Sequence, residues 1–144
     1  MTSEEKRTTI LKYNSQPFNK QTINDGSYIK INSNNESCID NINLYIKIEN
    51  DIIKDFYFDG EACAITISAT SIMIKSLLGK SIKEVLEFIA SYENMINKLP
   101  YNKELLGEAE CYDEIYKQPS RKRCALLPYI GLKKAIKEYQ ESLI

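Results

Sequence analysis

The chain has 144 residues, of which 27% are charged and 43% hydrophobic, and its net charge is −1; it is expected to fold as one domain, 1–144, around its own core. The near-neutral balance argues against nucleic acid or an anionic membrane as partner, no apolar run approaches a membrane span, and the polar start (1–7) lacks a signal-peptide core, so a cytoplasmic location is expected. There is no histidine, which rules out imidazole catalysis and imidazole metal ligands from this chain.

Residues 4–13 read as a short helix with Ile10, Leu11 and Tyr13 facing inward. Residues 14–26 are polar and irregular, and Asn24-Asp25-Gly26 marks a turn. Tyr28, Ile29, Lys30 and Ile31 read as a first strand, followed by a run of turn formers from Asn32 to Ser37. Ile42, Leu44, Ile46 and Ile48 alternate with Asn43, Tyr45, Lys47 and Glu49, which predicts a half-buried strand. Asn50-Asp51 makes a tight connection, and 52–58 reads as the next strand of a hairpin. Three antiparallel strands therefore come first.

Asp59-Gly60 reads as a turn that sets Cys63 at the junction of two elements. The segment 64–78 alternates like a strand at Ile65 and Ile67. Its length, its face of Ile65, Ala69, Ile72, Met73 and Ser76, and the Gly79 stop predict a helix. Cys63 then stands at a helix N-terminus, where unpaired N–H groups and the macrodipole favour a thiolate; a buried structural cysteine is the plainer alternative. Ser81 and Glu84 form a capping-box signature. Ile82, Val85, Leu86, Ile89 and Ala90 follow as the stripe of an amphipathic helix that ends before Pro100. Weaker helical pieces occupy 102–117, and Gln118-Pro119-Ser120 breaks the chain. After Arg121-Lys122-Arg123-Cys124, residues Ala125, Tyr129, Leu132, Ile136, Tyr139 and Leu143 predict a terminal helix with Pro128 near its first turn.

The four cysteines, at 38, 63, 111 and 124, form no close C-x-x-C pair, and a reducing compartment disfavours disulfides. Cys38 and Asp40, two apart in an extended segment, can reach one ion. If one end of the sheet faces the starts of the two helices behind Cys63 and Cys124, these four side chains converge. Three thiolates and a carboxylate suit zinc or an iron–sulfur cluster. The plain alternative is three unrelated cysteines and a solvated basic triplet, Arg121, Lys122 and Arg123.

Asp59-Gly60-Glu61-Ala62-Cys63-Ala64-Ile65, the Ser/Ala/Thr-rich segment behind it, Gly79-Lys80-Ser81, and Arg121-Lys122-Arg123-Cys124-Ala125-Leu126-Leu127 together resemble the NifU-like (IscU/SufU) iron–sulfur cluster assembly proteins, over roughly residues 8–142. The resemblance implies an α+β fold of SufE/IscU-like type, with a three-stranded antiparallel sheet packed against several helices. It also implies a metal or cluster site at Cys38, Asp40, Cys63 and Cys124. The gap from Cys63 to Cys124 resembles the SufU branch. Arg123 stands where the IscU branch carries a histidine, and no Leu-Pro-Pro-Val-Lys motif occurs. Resemblance to this branch implies zinc binding and acceptance of sulfur from a cysteine desulfurase, a pyridoxal-phosphate enzyme, with downstream sulfur or cluster acceptors as further partners; Cys38, on a loop that moves more easily than a helix start, is expected to be the acting thiol. The alternatives are a scaffold carrying a transient [2Fe–2S] cluster and a structural zinc domain. One departure is Asn35-Glu36-Ser37-Cys38-Ile39-Asp40, where the family pattern is Asn-Pro-x-Cys-Gly-Asp. Cys111 matches no ligand motif and is expected to be a small core or surface residue. The abundance of Ile, Lys and Asn hints at a bacterial source.

Overall fold

A computed structural model of the chain describes residues 1–36 and 39–144. Its elements run α1 (Ser3–Ser15), β1 (Ile29–Asn34), β2 (Asn41–Glu49), β3 (Ile52–Glu61), α2 (Ala64–Leu77), α3 (Ile82–Ile96), α4 (Lys103–Leu106), two 3₁₀ turns (Gly107–Tyr112 and Ile115–Lys117) and α5 (Pro119–Ser142). The architecture is α+β, with one sheet in the order β1-β2-β3, antiparallel throughout. Among the described residues, no helix is long and apolar enough to cross a membrane.

The period-2 pattern of β2 decides the sheet's inner face. Ile42, Leu44 and Ile46 are fully buried, as are Phe56 and Phe58 of β3, and each such side chain withdrawn from water contributes about 1.5–3 kcal/mol. Against this face lies α5, close enough at Gly131 that an added Cβ would stand 2.9 Å from Leu44 Cδ1 and 3.2 Å from Ser33 Cβ. The central helix is α2, buried at Ile65–Ile74 and at Leu77. Its hydroxyl residues are tolerated there because they are bonded: Ser68 to the Ala64 carbonyl at 2.8 Å, Thr70 to the Thr66 carbonyl at 2.7 Å, and Ser71 Oγ by the Phe18 N–H at 3.2 Å. The free edge of β3 is covered by the 19–21 segment, through Gln21 N–H to the Phe58 carbonyl and Phe58 N–H to the Asn19 carbonyl.

Several expectations hold at residue level. Asn50 and Asp51 reverse the β2–β3 hairpin with φ of 53° and 59°, the left-handed pair that a two-residue hairpin turn demands. Gly79, at φ +83°, follows the end of α2, and Ser81 and Glu84 make both bonds of the capping box that starts α3.

Others are corrected. Asn32–Asn34 belong to β1 rather than to the loop, paired with Asn43, Ile42 and Asn41. Asp59-Gly60 is no turn, because β3 runs on to Glu61. Gly60 is required there for close approach: at φ +116° a Cβ would overlap the Asn41 carbonyl oxygen. Ile82, Val85 and Ile89 of the expected α3 stripe are buried, but the stripe is rotated away from its other two members. Phe88, Tyr92, Met95 and Ile96 are buried, while Leu86 and Ala90 face solvent. Residues 102–117 are one helical turn and two 3₁₀ turns. The break at Pro119 is the first residue of α5, the position where a missing N–H costs nothing. Cys124 therefore lies inside α5 rather than ahead of it, and Pro128 is in the helix interior. Leu143, expected on the inner stripe, is exposed.

Candidate metal centre

Three elements deliver the site. Asp40 ends the connection from β1 and enters β2, Cys63 is the N-cap of α2, and Cys124 sits in the second turn of α5. One ligand atom from each of the three lies within 4.8 Å of the others. Tetrahedral zinc with Zn–S bonds of about 2.3 Å separates its sulfurs by about 3.8 Å, so this spacing and this donor set fit zinc without rearrangement of the elements. Cys38, the fourth member expected from the sequence, lies outside the described residues. Of the described residues near it in sequence, Asp40 belongs to the trio and Asn35 lines the same cleft.

Asp40 is buried, and a carboxylate is stable there only with donors to satisfy it. Oδ1 accepts the Cys63 N–H at 2.7 Å, and Oδ2 accepts the Thr66 hydroxyl at 2.8 Å and lies 3.8 Å from Cys63 Sγ. Cys63 makes no side-chain cap of its own, so Asp40 supplies from another element the bond back to the N-cap N–H that a capping box supplies within a helix. Burial pushes the Asp40 carboxyl up. The bonds from the Cys63 N–H, the Thr66 hydroxyl and the Cys124 and Cys63 thiols outweigh it and hold the group below the usual carboxylate range. Burial raises the Cys124 thiol strongly, helped by the adjacent Asp40 carboxylate and Cys63 thiol. Without a cation, negative charge on these groups is mutually opposed; a divalent ion among them removes that conflict.

Positive charge gathers at the same place. Arg121 and Arg123 line an open cleft of about 550 Å³ together with Asn35, Cys63, Pro119, Ser120 and Cys124. They occupy the first turns of α5 with Lys122 and no acidic residue, where the helix dipole disfavours cations. Such a placement gains nothing for the helix and makes sense toward an anionic cluster. Lys122 does not line the cleft.

Cys111 is a core residue. It is 5% exposed, and burial pushes its thiol up to about 12, which leaves it inert near neutrality. Sequence reasoning missed Thr66. The available signal was a hydroxyl residue three positions after Cys63, one helical turn on and therefore on the same face.

The family model described as the NifU-like N-terminal domain matches residues 5–143. The chain is 32% identical over 131 residues to the zinc-dependent sulfurtransferase SufU of Bacillus subtilis (strain 168), covering 90% of this chain and 88% of that one. It is 31% identical over 130 residues to the iron–sulfur cluster assembly scaffold protein IscU of Thermotoga maritima, covering 90% of each. Among solved structures, a putative iron–sulfur cluster assembly scaffold protein for the SUF system from Fervidobacterium islandicum AW-1 superposes with a TM-score of 0.84 at 30% identity, over 88% of this chain and 93% of that one.

Proposed function

Since the chain belongs to the NifU-like N-terminal domain family of iron–sulfur cluster assembly proteins, we propose that it accepts sulfur from a cysteine desulfurase at a zinc site formed by Cys38, Asp40, Cys63 and Cys124. The observation that carries this reading is the convergence of Asp40, Cys63 and Cys124 within 4.8 Å in a chain without histidine. Three thiolates and a carboxylate form a closed tetrahedral zinc set when Cys38 joins them. Zinc held there would keep the thiols in the thiolate form.

Cys38 is the thiol that acts. Cys63 and Cys124 are built into α2 and α5, whereas position 38 falls in sequence between the last residue of β1 and the first of β2. Its thiolate attacks the outer sulfur of a persulfide on the desulfurase cysteine. The new S–S bond forms as the old one breaks, the electron pair leaves with the desulfurase cysteine as a thiolate, and Cys38 carries the persulfide. Asp40, Cys63 and Cys124 remain as the anchors, and Arg121 and Arg123 offset the negative charge and face the incoming donor. The SufU relative bears the matching name, and Arg123 occupies the position just before the last ligand.

The test is metal content and sulfur acceptance on protein purified without added metal. The expected result is one zinc per chain, with desulfurase turnover raised by the protein and returned to the level of the desulfurase alone by Cys38→Ala. Bound iron with acid-labile sulfide that passes to an apo-acceptor would instead establish the [2Fe–2S] scaffold. Four freely titrating thiols and no metal would overturn the site.

A further inference from the structure

Both oxygens of Asp40 are held by the first turn of α2: Oδ1 by the Cys63 N–H at 2.7 Å and Oδ2 by the Thr66 hydroxyl at 2.8 Å. Thr66 is fully buried, and its hydroxyl does not follow the local pattern of Ser68 and Thr70. Ser68 and Thr70 each bond a carbonyl four residues back on α2, the usual local outlet. Thr66 turns across to other elements. Its Oγ1 also stands 3.2 Å from the Cys124 carbonyl and 3.5 Å from Cys63 Sγ. One hydroxyl thus touches Asp40, Cys63 and Cys124.

The Cys124 carbonyl is available for a reason written into α5. Its helical donor would be the N–H of residue 128, and that residue is a proline. The hydroxyl has one hydrogen to give. The carboxylate, closer and charged, takes it in preference to the carbonyl. Rotation about a single bond moves that hydrogen between the two acceptors with no heavy atom displaced.

We propose that Thr66 is the positioning residue of the metal centre: its hydroxyl fixes the Asp40 carboxylate against the Cys63 and Cys124 thiols and so sets how tightly a zinc ion is held. The inference rests on the zinc site described under Proposed function. It assigns to Thr66 the role that groups bonded to a metal ligand commonly play, whose loss weakens metal binding by about 10- to 100-fold.

The experiment measures Zn²⁺ affinity of the full chain by competition with a chromogenic chelator, for the wild type and for Thr66→Ser, Thr66→Ala and Thr66→Val. Circular dichroism of the metal-free proteins checks the fold. Ala and Val are expected to weaken zinc binding by about 10- to 100-fold, while Ser stays close to the wild type. The Co²⁺-loaded ligand-field spectrum should change in Thr66→Ala and be restored in Thr66→Ser, a response that altered packing alone does not give. If Val prevents folding, the Ser and Ala pair decides. Equal zinc affinity in wild type and Thr66→Ala overturns the role of Thr66 and leaves the site standing. A wild type that takes up no zinc overturns the site and this inference with it.

Discussion

The two ends of the sheet are held by different physics. At the end formed by the β2–β3 turn, backbone meets backbone: Ile53 N–H bonds the Lys80 carbonyl at 3.0 Å, Gly79 N–H bonds the Ile53 carbonyl at 2.9 Å, and Ile82 N–H bonds the Asp51 carbonyl at 2.8 Å. Tyr139 adds a hydroxyl bond to Asp51 Oδ1 at 2.8 Å. At the opposite end, side chains far apart in sequence share a buried carboxylate, two thiols and one hydroxyl. The first arrangement is stable by itself. The second gathers a carboxylate and two thiols within 4.8 Å of one another, an arrangement suited to a cation. Proteins commonly place strain and electrostatic conflict where they bind.

That division has measurable consequences. The largest is expected for Gly60→Ala, at the metal-centre end, where positive φ and overlap with the Asn41 carbonyl combine. Urea unfolding should show a loss of about 3 kcal/mol or more, and zinc uptake should fall because Asn41 adjoins Asp40. At the turn end, Ser81→Ala removes the capping box and should cost about 1 kcal/mol with zinc uptake unchanged. Equal damage to zinc uptake by both variants would break the comparison.

A smaller effect sharpens it on the sheet face that does not meet α5. Burial and the bond to Asp59 at 2.8 Å push the Tyr45 phenol up to about 12, whereas an unfolded tyrosine ionises near pH 10. Between those values the folded state keeps a proton that the unfolded state has lost. Stability should therefore fall as pH rises from about 10 to about 12. Tyr45→Phe should flatten that part of a thermal-melt series against pH.

The turn end was legible in the sequence because each of its devices is local. Asn50-Asp51, Gly79, Ser81 with Glu84, and the alternation from Ile42 to Ile48 state their conformations within a few residues. The metal-centre end was harder to read for the opposite reason. Gly60 looked like a turn residue, yet its conformation serves a neighbouring strand 19 positions earlier. Pro119 looked like a break because its tolerance at the first helical position depends on the helix that begins there. Pro128 looked compatible only with a helix start, since the hydroxyl that stands 3.2 Å from the freed Cys124 carbonyl comes from Thr66. Cys63, Cys124 and Asp40 were nevertheless identified as candidates by position and by resemblance. Thr66 was not, because its role exists only after α2 and α5 have packed.

Asn35 N–H bonds the Asp40 carbonyl at 2.9 Å, and the Asp40 side chain is tied to α2, so Asp40 is moored through both backbone and side chain. Two residues of polypeptide span at most about 7 Å. Under the proposed sulfur transfer, a thiol two residues from Asp40 would have only this short reach, and delivery over distance would fall to the donor. Ile39, 72% exposed, presents an apolar side chain to solvent beside Asp40.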